Sequence, residues 1–230
     1  MYRNIGVILG AGMGIRFAQS IPKQFNKLQG REVISYVIDA FRASCKTEKL
    51  LVVLSKDEYK KGEVAQKYNI ETVCGGKTRP QSVNNALRYI ADHYPSCENV
   101  IFHDAARPLI KAEVFDRYFM LLQEYDYICT CQKITDSLGS YKKEMPNRED
   151  YYLLQTPEGY RFRLLYESLD KATDQMKNFY ASYALPPESK GYLCFDIRNN
   201  FKVTYPEDLQ FLECWMQAHS TDTEWRNREY

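Results

Sequence analysis

Ile5-Gly6-Val7-Ile8-Leu9 runs without a polar side chain into Gly10-Ala11-Gly12-Met13-Gly14. An apolar run of this length reads as a strand buried on both faces, and the glycines allow a tight exit from it. Working outward, Val33, Ile34, Val37, Ile38 and Phe41 have helical spacing within 31–43, and 50–54 is a second apolar strand. A polar surface helix is predicted over 57–68, a short strand over 70–73 and a helix over 81–94. The strand at 99–102 delivers His103-Asp104-Ala105-Ala106-Arg107-Pro108, and a helix over 112–125 and a strand over 127–131 follow. Alternation of strand and helix through roughly the first 135 residues predicts an α/β fold with a mostly parallel sheet and helices on both faces.

The pattern then changes. Residues 133–152 are polar, contain Gly139 and Pro146, and show no long period, which predicts a protruding hairpin or arm. A helix is expected over 157–171, an irregular stretch over 179–191, a last strand over 201–204 and a closing helix over 206–219 with Pro206 at its start. Residues 1–219 are expected to form a single domain, and 220–230 a frayed polar tail.

Composition narrows the function. The 230 residues carry 31 Lys+Arg against 30 Asp+Glu, with 44% hydrophobic and 27% charged side chains. That is a globular composition, and the charge balance excludes a protein devoted to nucleic acid, which needs a basic excess. It leaves room for a small phosphate-rich ligand in a locally basic pocket. No stretch approaches the ~18 apolar residues of a membrane helix, and the N-terminus lacks the apolar core of a signal peptide. The seven cysteines form no C-x-x-C pair, and Cys129 and Cys131 would share one buried strand face. A reduced, cytoplasmic protein is expected.

The glycine turn is not a dinucleotide fingerprint, because Ile15 stands where G-x-G-x-x-G requires its third glycine. No Gly-Lys-Ser/Thr follows, so it is not a Walker A loop either. That disfavours a nicotinamide oxidoreductase. Arg16 and Lys23 follow closely, and exposed backbone amides beside two cations suit a triphosphate. Gly75-Gly76, with Arg79 and Ser82, forms a second turn feeding a helix, where Ser82 is either a ligand contact or a helix-start residue. Asp104, directly after a buried strand, is placed either to bind magnesium or to cap or pair with Arg107. His103 reads as a packed strand-end residue.

Five ordered motifs carry a resemblance: Leu9-Gly-Ala-Gly-Met-Gly-Ile-Arg16, Pro22-Lys-Gln-Phe25, Gly75-Gly-Lys-Thr-Arg-Pro-Gln-Ser82, His103-Asp-Ala-Ala-Arg-Pro108 and Phe201-Lys-Val-Thr-Tyr-Pro-Glu-Asp-Leu209. Over nearly the whole chain the sequence resembles the 2-C-methyl-D-erythritol 4-phosphate and ribitol-5-phosphate cytidylyltransferases. The resemblance implies a Rossmann-like domain of the nucleotide-diphospho-sugar transferase type, with a β-arm that builds a homodimer. It implies CTP and a polyol phosphate as substrates and Mg²⁺ as cofactor.

Carried over by motif, Leu9, Gly10, Ala11, Gly12, Met13, Gly14, Gly75, Gly76, Ser82, Asp104 and Ala105 would hold CTP. Arg16, Lys23 and Lys202 would be the catalytic cations, and Asp104 the magnesium ligand. Arg107, Ser137, Arg148 and Thr156 would meet the acceptor, Ser137 and Arg148 from the arm of the neighbouring subunit. Asn199 stands where many methylerythritol enzymes carry aspartate, and Lys77 replaces an acid common after the double glycine. The His103–Arg107 stretch favours the methylerythritol acceptor, with a ribitol-type acceptor and a non-catalytic CTP-binding module as the alternatives.

Overall fold

A computed structural model describes residues 1–12, 17, 21–142, 145–171 and 181–219. The chain opens with β1 (Asn4–Gly10), a small antiparallel ribbon of β2 (Lys27–Leu28) and β3 (Arg31–Glu32), and α1 (Val33–Ala43). Next come β4 (Lys49–Leu54), α2 (Lys56–Lys61), α3 (Glu63–Tyr68), β5 (Glu71–Cys74) and α4 (Arg79–His93). Then follow β6 (Asn99–Asp104), α5 (Ala112–Leu121), β7 (Tyr127–Lys133) and β8 (Tyr152–Arg161). The chain closes with α6 (Phe162–Lys171), β9 (Gly191–Cys194) and α7 (Pro206–Ala218).

Seven strands form one sheet in the order β5-β4-β1-β6-β8-β7-β9. β1 runs parallel to β4 and β6, β4 to β5, and β7 to β9; only β8 opposes its neighbours. The fold is the mostly parallel sheet that the alternation of elements predicts, of the Rossmann-like type that the resemblance implies.

Residue alternation divides the core. Ile5, Val7, Leu51 and Val53 face α4 and α6, meeting Val83, Leu87, Ile90 and Leu165. Ile8, Val52 and Leu54 face α1 and α5, meeting Ile38, Phe41, Phe115 and Phe119. Gly6 brings α1 close to the sheet: a Cβ there would lie 2.6 Å from the Phe41 ring, which stacks on Phe115 with centroids 3.7 Å apart. A third cluster, with Phe17, Leu28, Val33, Ala106, Val203 and Leu212, seats α7 beside the end of β6.

Several expectations shift. The helix over 57–68 breaks at Gly62, whose φ of 69° ends α2 and starts α3. Residues 157–161 are strand, not helix, and α6 begins at Phe162. Pro157 misled the reading because proline opens many helices; here it sits at an irregularity in the β7–β8 ladder, where Cys129 opposes Glu158 but Thr130 opposes Gln155. Residues 201–204 form an extended strap instead of a strand, joined to the sheet by Val203 N donating to Ala106 O at 2.8 Å. The short strand β9 escaped notice; a Cβ at Gly191 would lie 2.2 Å from the Tyr127 ring, so a larger residue there would have to displace that side chain. Cys129 and Cys131 are both buried, and all seven cysteines are free thiols. Residues 133–152 span the connection between antiparallel β7 and β8, where Lys133 pairs with Tyr152.

Candidate active site

The site is assembled where β1, β4, β5 and β6 end, the usual position for ligands on open α/β sheets. Gly10 closes β1, and its carbonyl accepts a hydrogen bond from Gln24 Nε2 at 2.6 Å. Ala105 N donates to Leu9 O at 3.0 Å, which ties the end of β6 to the same turn. The second glycine turn packs directly on the first. A Cβ at Gly75 would lie 2.6 Å from Ala11 Cβ, 2.9 Å from Leu54 O and 3.0 Å from Ser82 Oγ. Gly12 differs, because a Cβ there would meet nothing within 4 Å among the described residues. Met13, Gly14 and Arg16 lie outside the described residues.

Ser82 does not start the helix. Thr78 is the N-cap of α4 and accepts from Gln81 N at 3.3 Å. Ser82 Oγ, buried one turn inside, accepts from Gly76 N at 3.1 Å and donates to Thr78 O at 3.0 Å. It fixes the shape of the Gly75–Gly76 turn.

Asp104 is the electrostatic centre. Its Oδ2 lies 2.6 Å from Lys202 Nζ and 3.6 Å from Arg107 Nε, and its Oδ1 lies 4.0 Å from Arg79 Nε. Burial alone would raise this carboxyl, but Lys202, Arg79 and Arg107 outweigh it and hold it well below the usual carboxylate range. The acid is therefore ionised at neutral pH. The sequence left capping, pairing and metal binding open; Asp104 does pair with Arg107, and with two further cations. His103, its neighbour, is packed edge-on against Phe115 and donates from Nε2 to Arg107 O at 3.2 Å, leaving Nδ1 without a hydrogen-bond partner among the described residues. Burial pushes its pKa down to about 4.

The strap after β9 completes the arrangement. Asn199 adopts φ 56°, a conformation asparagine tolerates better than most residues. Asn200 Nδ2 donates to Thr156 O at 2.7 Å and to Gln155 Oε1 at 2.9 Å, while Asn200 O accepts from Arg107 Nη1 at 2.5 Å. Lys23, at a 3₁₀ turn after Pro22, donates from Nζ to Val203 O at 2.8 Å. Lys23 thus reaches, from a distant part of the chain, the strap that carries Lys202. Thr156 Oγ1 accepts from Asp104 N at 3.0 Å and is buried.

Of the residues singled out by sequence, Gly10, Ala11, Gly75, Gly76, Ser82 and Ala105 form one wall, and Lys23, Asp104, Arg107, Thr156 and Lys202 form one bonded network. Ser137 and Arg148 are exposed on the β7–β8 connection, where Arg148 Nη1 donates to Thr135 O at 2.7 Å. Among the described residues, neither bonds to the Asp104 network. Sequence reasoning overlooked Gln24, Glu158 and Asn200; Glu158 is a charged residue inside an otherwise buried stretch, whereas Gln24 and Asn200 sit among partly or fully exposed neighbours and carry no such signal. The arrangement gathers cations and turn amides around one carboxylate, which suits two anionic reactants.

The comparisons with known proteins agree. The family model described as IspD, 2-C-methyl-D-erythritol 4-phosphate cytidylyltransferase, matches residues 5–218. The chain is 35% identical over 231 residues to the protein of that name from Dechloromonas aromatica, covering 95% of this chain and 99% of the relative. It is 30% identical over 224 residues to that from Thermosipho melanesiensis, covering 91% and 96%. The 4-diphosphocytidyl-2C-methyl-D-erythritol synthase of Anaerococcus prevotii shares its fold with a TM-score of 0.74 at 24% identity, covering 94% of this chain and 96% of that one. The chain belongs to the 2-C-methyl-D-erythritol 4-phosphate cytidylyltransferase family, nucleotidyltransferases of isoprenoid precursor synthesis.

Proposed function

We propose that the chain transfers the cytidylyl group of CTP to 2-C-methyl-D-erythritol 4-phosphate and releases pyrophosphate. One observation carries the reading: Asp104, ringed by Lys202, Arg107 and Arg79, stands where two interlocked glycine turns close the strand ends. The turns of 9–14 and 75–76, with Ser82 and Ala105, take the nucleotide. Arg16, Lys23 and Lys202 take the reacting phosphates.

An oxygen of the acceptor phosphate attacks the α-phosphorus of CTP, a P–O bond forms, and pyrophosphate leaves with the electrons of the broken bond. The acceptor phosphate is already ionised at neutral pH, so no general base is needed. The obstacle is repulsion between anions, and catalysis is positioning plus charge stabilisation. Lys23 and Lys202, both attached to the 199–203 strap, lower that repulsion together. Arg107 and Asn200 hold the strap against the end of β6.

Asp104 suits magnesium. It is an ionised oxygen donor, and no group of three or more His, Cys, Asp or Glu forms a separate metal cage among the described residues. Magnesium commonly takes one or two carboxylates and fills its remaining positions with substrate phosphate and water. When bound by Asp104 and the nucleotide, it supplies positive charge to the phosphate oxygens. Ser137 and Arg148 are proposed to meet the acceptor in the site of a second subunit, with the 133–152 arm as the dimer contact. Seven free thiols suit a reducing, cytoplasmic setting, and no helix among the described residues is long and apolar enough to cross a membrane.

The test is pyrophosphate release from CTP and Mg²⁺ with methylerythritol, ribitol and glycerol phosphates. Turnover confined to the methylerythritol phosphate is expected. Preference for ribitol phosphate would reassign the acceptor, and CTP-dependent melting without turnover on any acceptor would make the chain a binding module.

A further inference from the structure

Glu158 has no part in the chemistry described above, yet it is a carboxylate with no solvent exposure at all. Its Oε1 is ion-paired with the Arg79 guanidinium, and its Oε2 accepts from Tyr160 Oη at 2.5 Å. Tyr160, two residues along β8 and on the same strand face, is equally buried. Both carboxylate oxygens are therefore engaged. A buried ion pair is a poor source of stability, because the lost solvation offsets most of the attraction. Arg79 also stands in the first turn of α4, where the helix dipole disfavours a cation and the turn itself holds no acid.

Two unfavourable placements meet at one residue. They are accounted for if the position of the guanidinium matters. Arg79 spans from the sealed Glu158 to the open side of the site: its Nε is 4.0 Å from Asp104 Oδ1, and its side chain is 29% exposed where Glu158 is closed off. It directly follows Thr78 and the Gly75–Gly76 turn.

We propose that Glu158 is a positioning residue that holds Arg79 beside Asp104, so that the guanidinium meets the phosphates of the bound nucleotide. The inference rests on the reading of this site as the CTP site. Arg79 touches the ligand; Glu158 acts only through it, and Tyr160 fixes Glu158.

The experiment measures kcat, the KM of CTP and of the acceptor, and CTP affinity by calorimetry for the wild type, Glu158→Gln, Arg79→Gln and the double variant. Glutamine keeps the shape but carries no charge, and its single side-chain oxygen accepts only one of the two hydrogen bonds that the carboxylate accepts. E158Q is expected to raise the KM and Kd of CTP about tenfold, the loss of one charge-assisted contact, with the KM of the acceptor unchanged. R79Q is expected to do at least as much, and the double variant no more than R79Q alone, because Glu158 has no other route to the ligand.

Effects that multiply in the double variant, or a CTP affinity in E158Q within about twofold of the wild type, would overturn the inference. Should E158Q fail to fold, Glu158→Asp keeps the charge but withdraws it by one methylene; an unchanged CTP affinity there overturns the inference equally. A wild type that does not bind CTP refutes the nucleotide reading itself, whereas a binding wild type with an indifferent E158Q refutes this step alone.

Discussion

Lys202 Nζ lies 2.6 Å from Asp104 Oδ2, although 98 residues separate them in sequence. The pair joins the strap after β9 to the end of β6. It places a cation that is 37% exposed beside a carboxylate that is 11% exposed, so the lysine can reach a ligand that Asp104 also faces. Asp104 would keep Arg107 and Arg79 as neighbours without Lys202, and the fold should tolerate its loss.

Lys202→Ala is therefore expected to lower kcat by about 10²–10³, the scale of removing one preorganised charge-stabilising group, with little change in melting temperature. Pyrophosphate-release kinetics and thermal unfolding check this together. A kcat within a few-fold of the wild type would remove Lys202 from the chemistry.

The two glycine turns make a paired prediction. At Gly75 a Cβ meets Ala11 and the backbone of Leu54, neither of which can swing aside. Gly75→Ala is expected to destabilise the protein by about 1–3 kcal/mol and to weaken CTP binding, as overpacking forces the turns apart. At Gly12 the added methyl meets no described residue and has no left-handed backbone to strain. Gly12→Ala should leave the melting temperature unchanged and raise the KM of CTP, because the methyl enters the volume assigned to the nucleotide. Equal behaviour of the two variants in both assays would contradict the geometry.

The buried half of this architecture was legible from local pattern. The runs at 5–9 and 50–54 are apolar on both faces, as central parallel strands require, and the helices that alternate with them point to a parallel sheet. What escaped was set by partners far away in sequence. Pro157 reads locally as a helix start, and only the irregular pairing with β7 makes it strand. Residues 201–204 look like a strand because Phe201 and Val203 alternate with polar residues, yet the strap uses that alternation to bury Val203 against Leu212 of α7 and to turn Lys202 towards Asp104. Glu158 hid for the same reason. Nothing beside it in sequence announces Arg79, 79 residues earlier.

His103 predicts a pH dependence. Burial lowers its pKa from 6.5 to about 4, so the folded state resists a proton that the unfolded chain accepts. Between those values the unfolded state binds more protons, and stability falls as pH falls, by about 3 kcal/mol across the window. Asp104 acts in a separate range. Its folded pKa is depressed, so its contribution is complete above 3.8 and is lost only on further acidification. Denaturant unfolding at pH 7, 6, 5 and 4.5 should show the decline, and His103→Gln should flatten it in that interval. A wild type with constant stability from pH 7 to 4.5 would mean that His103 is not held neutral.

The last prediction concerns the arm. Ser137 and Arg148 are exposed on the β7–β8 connection, and Arg148 makes its bonds to Thr135 O and Glu149 within the arm itself. If Arg148 serves the site of a second subunit, Arg148→Ala and Lys202→Ala damage opposite ends of a shared site. In a mixed dimer one site then carries both lesions and the other carries neither. Random exchange makes half of the dimers mixed, with one intact site in each, so a mixture of two inactive variants should recover about one quarter of wild-type activity. Arg148 acting within its own subunit gives the opposite result, since every site would keep one lesion and the mixture would stay as inactive as its parents. Co-expression with two affinity tags, followed by pyrophosphate-release assays on the doubly tagged fraction, separates the outcomes: about half of wild-type activity in that fraction for a shared site, none for an unshared one.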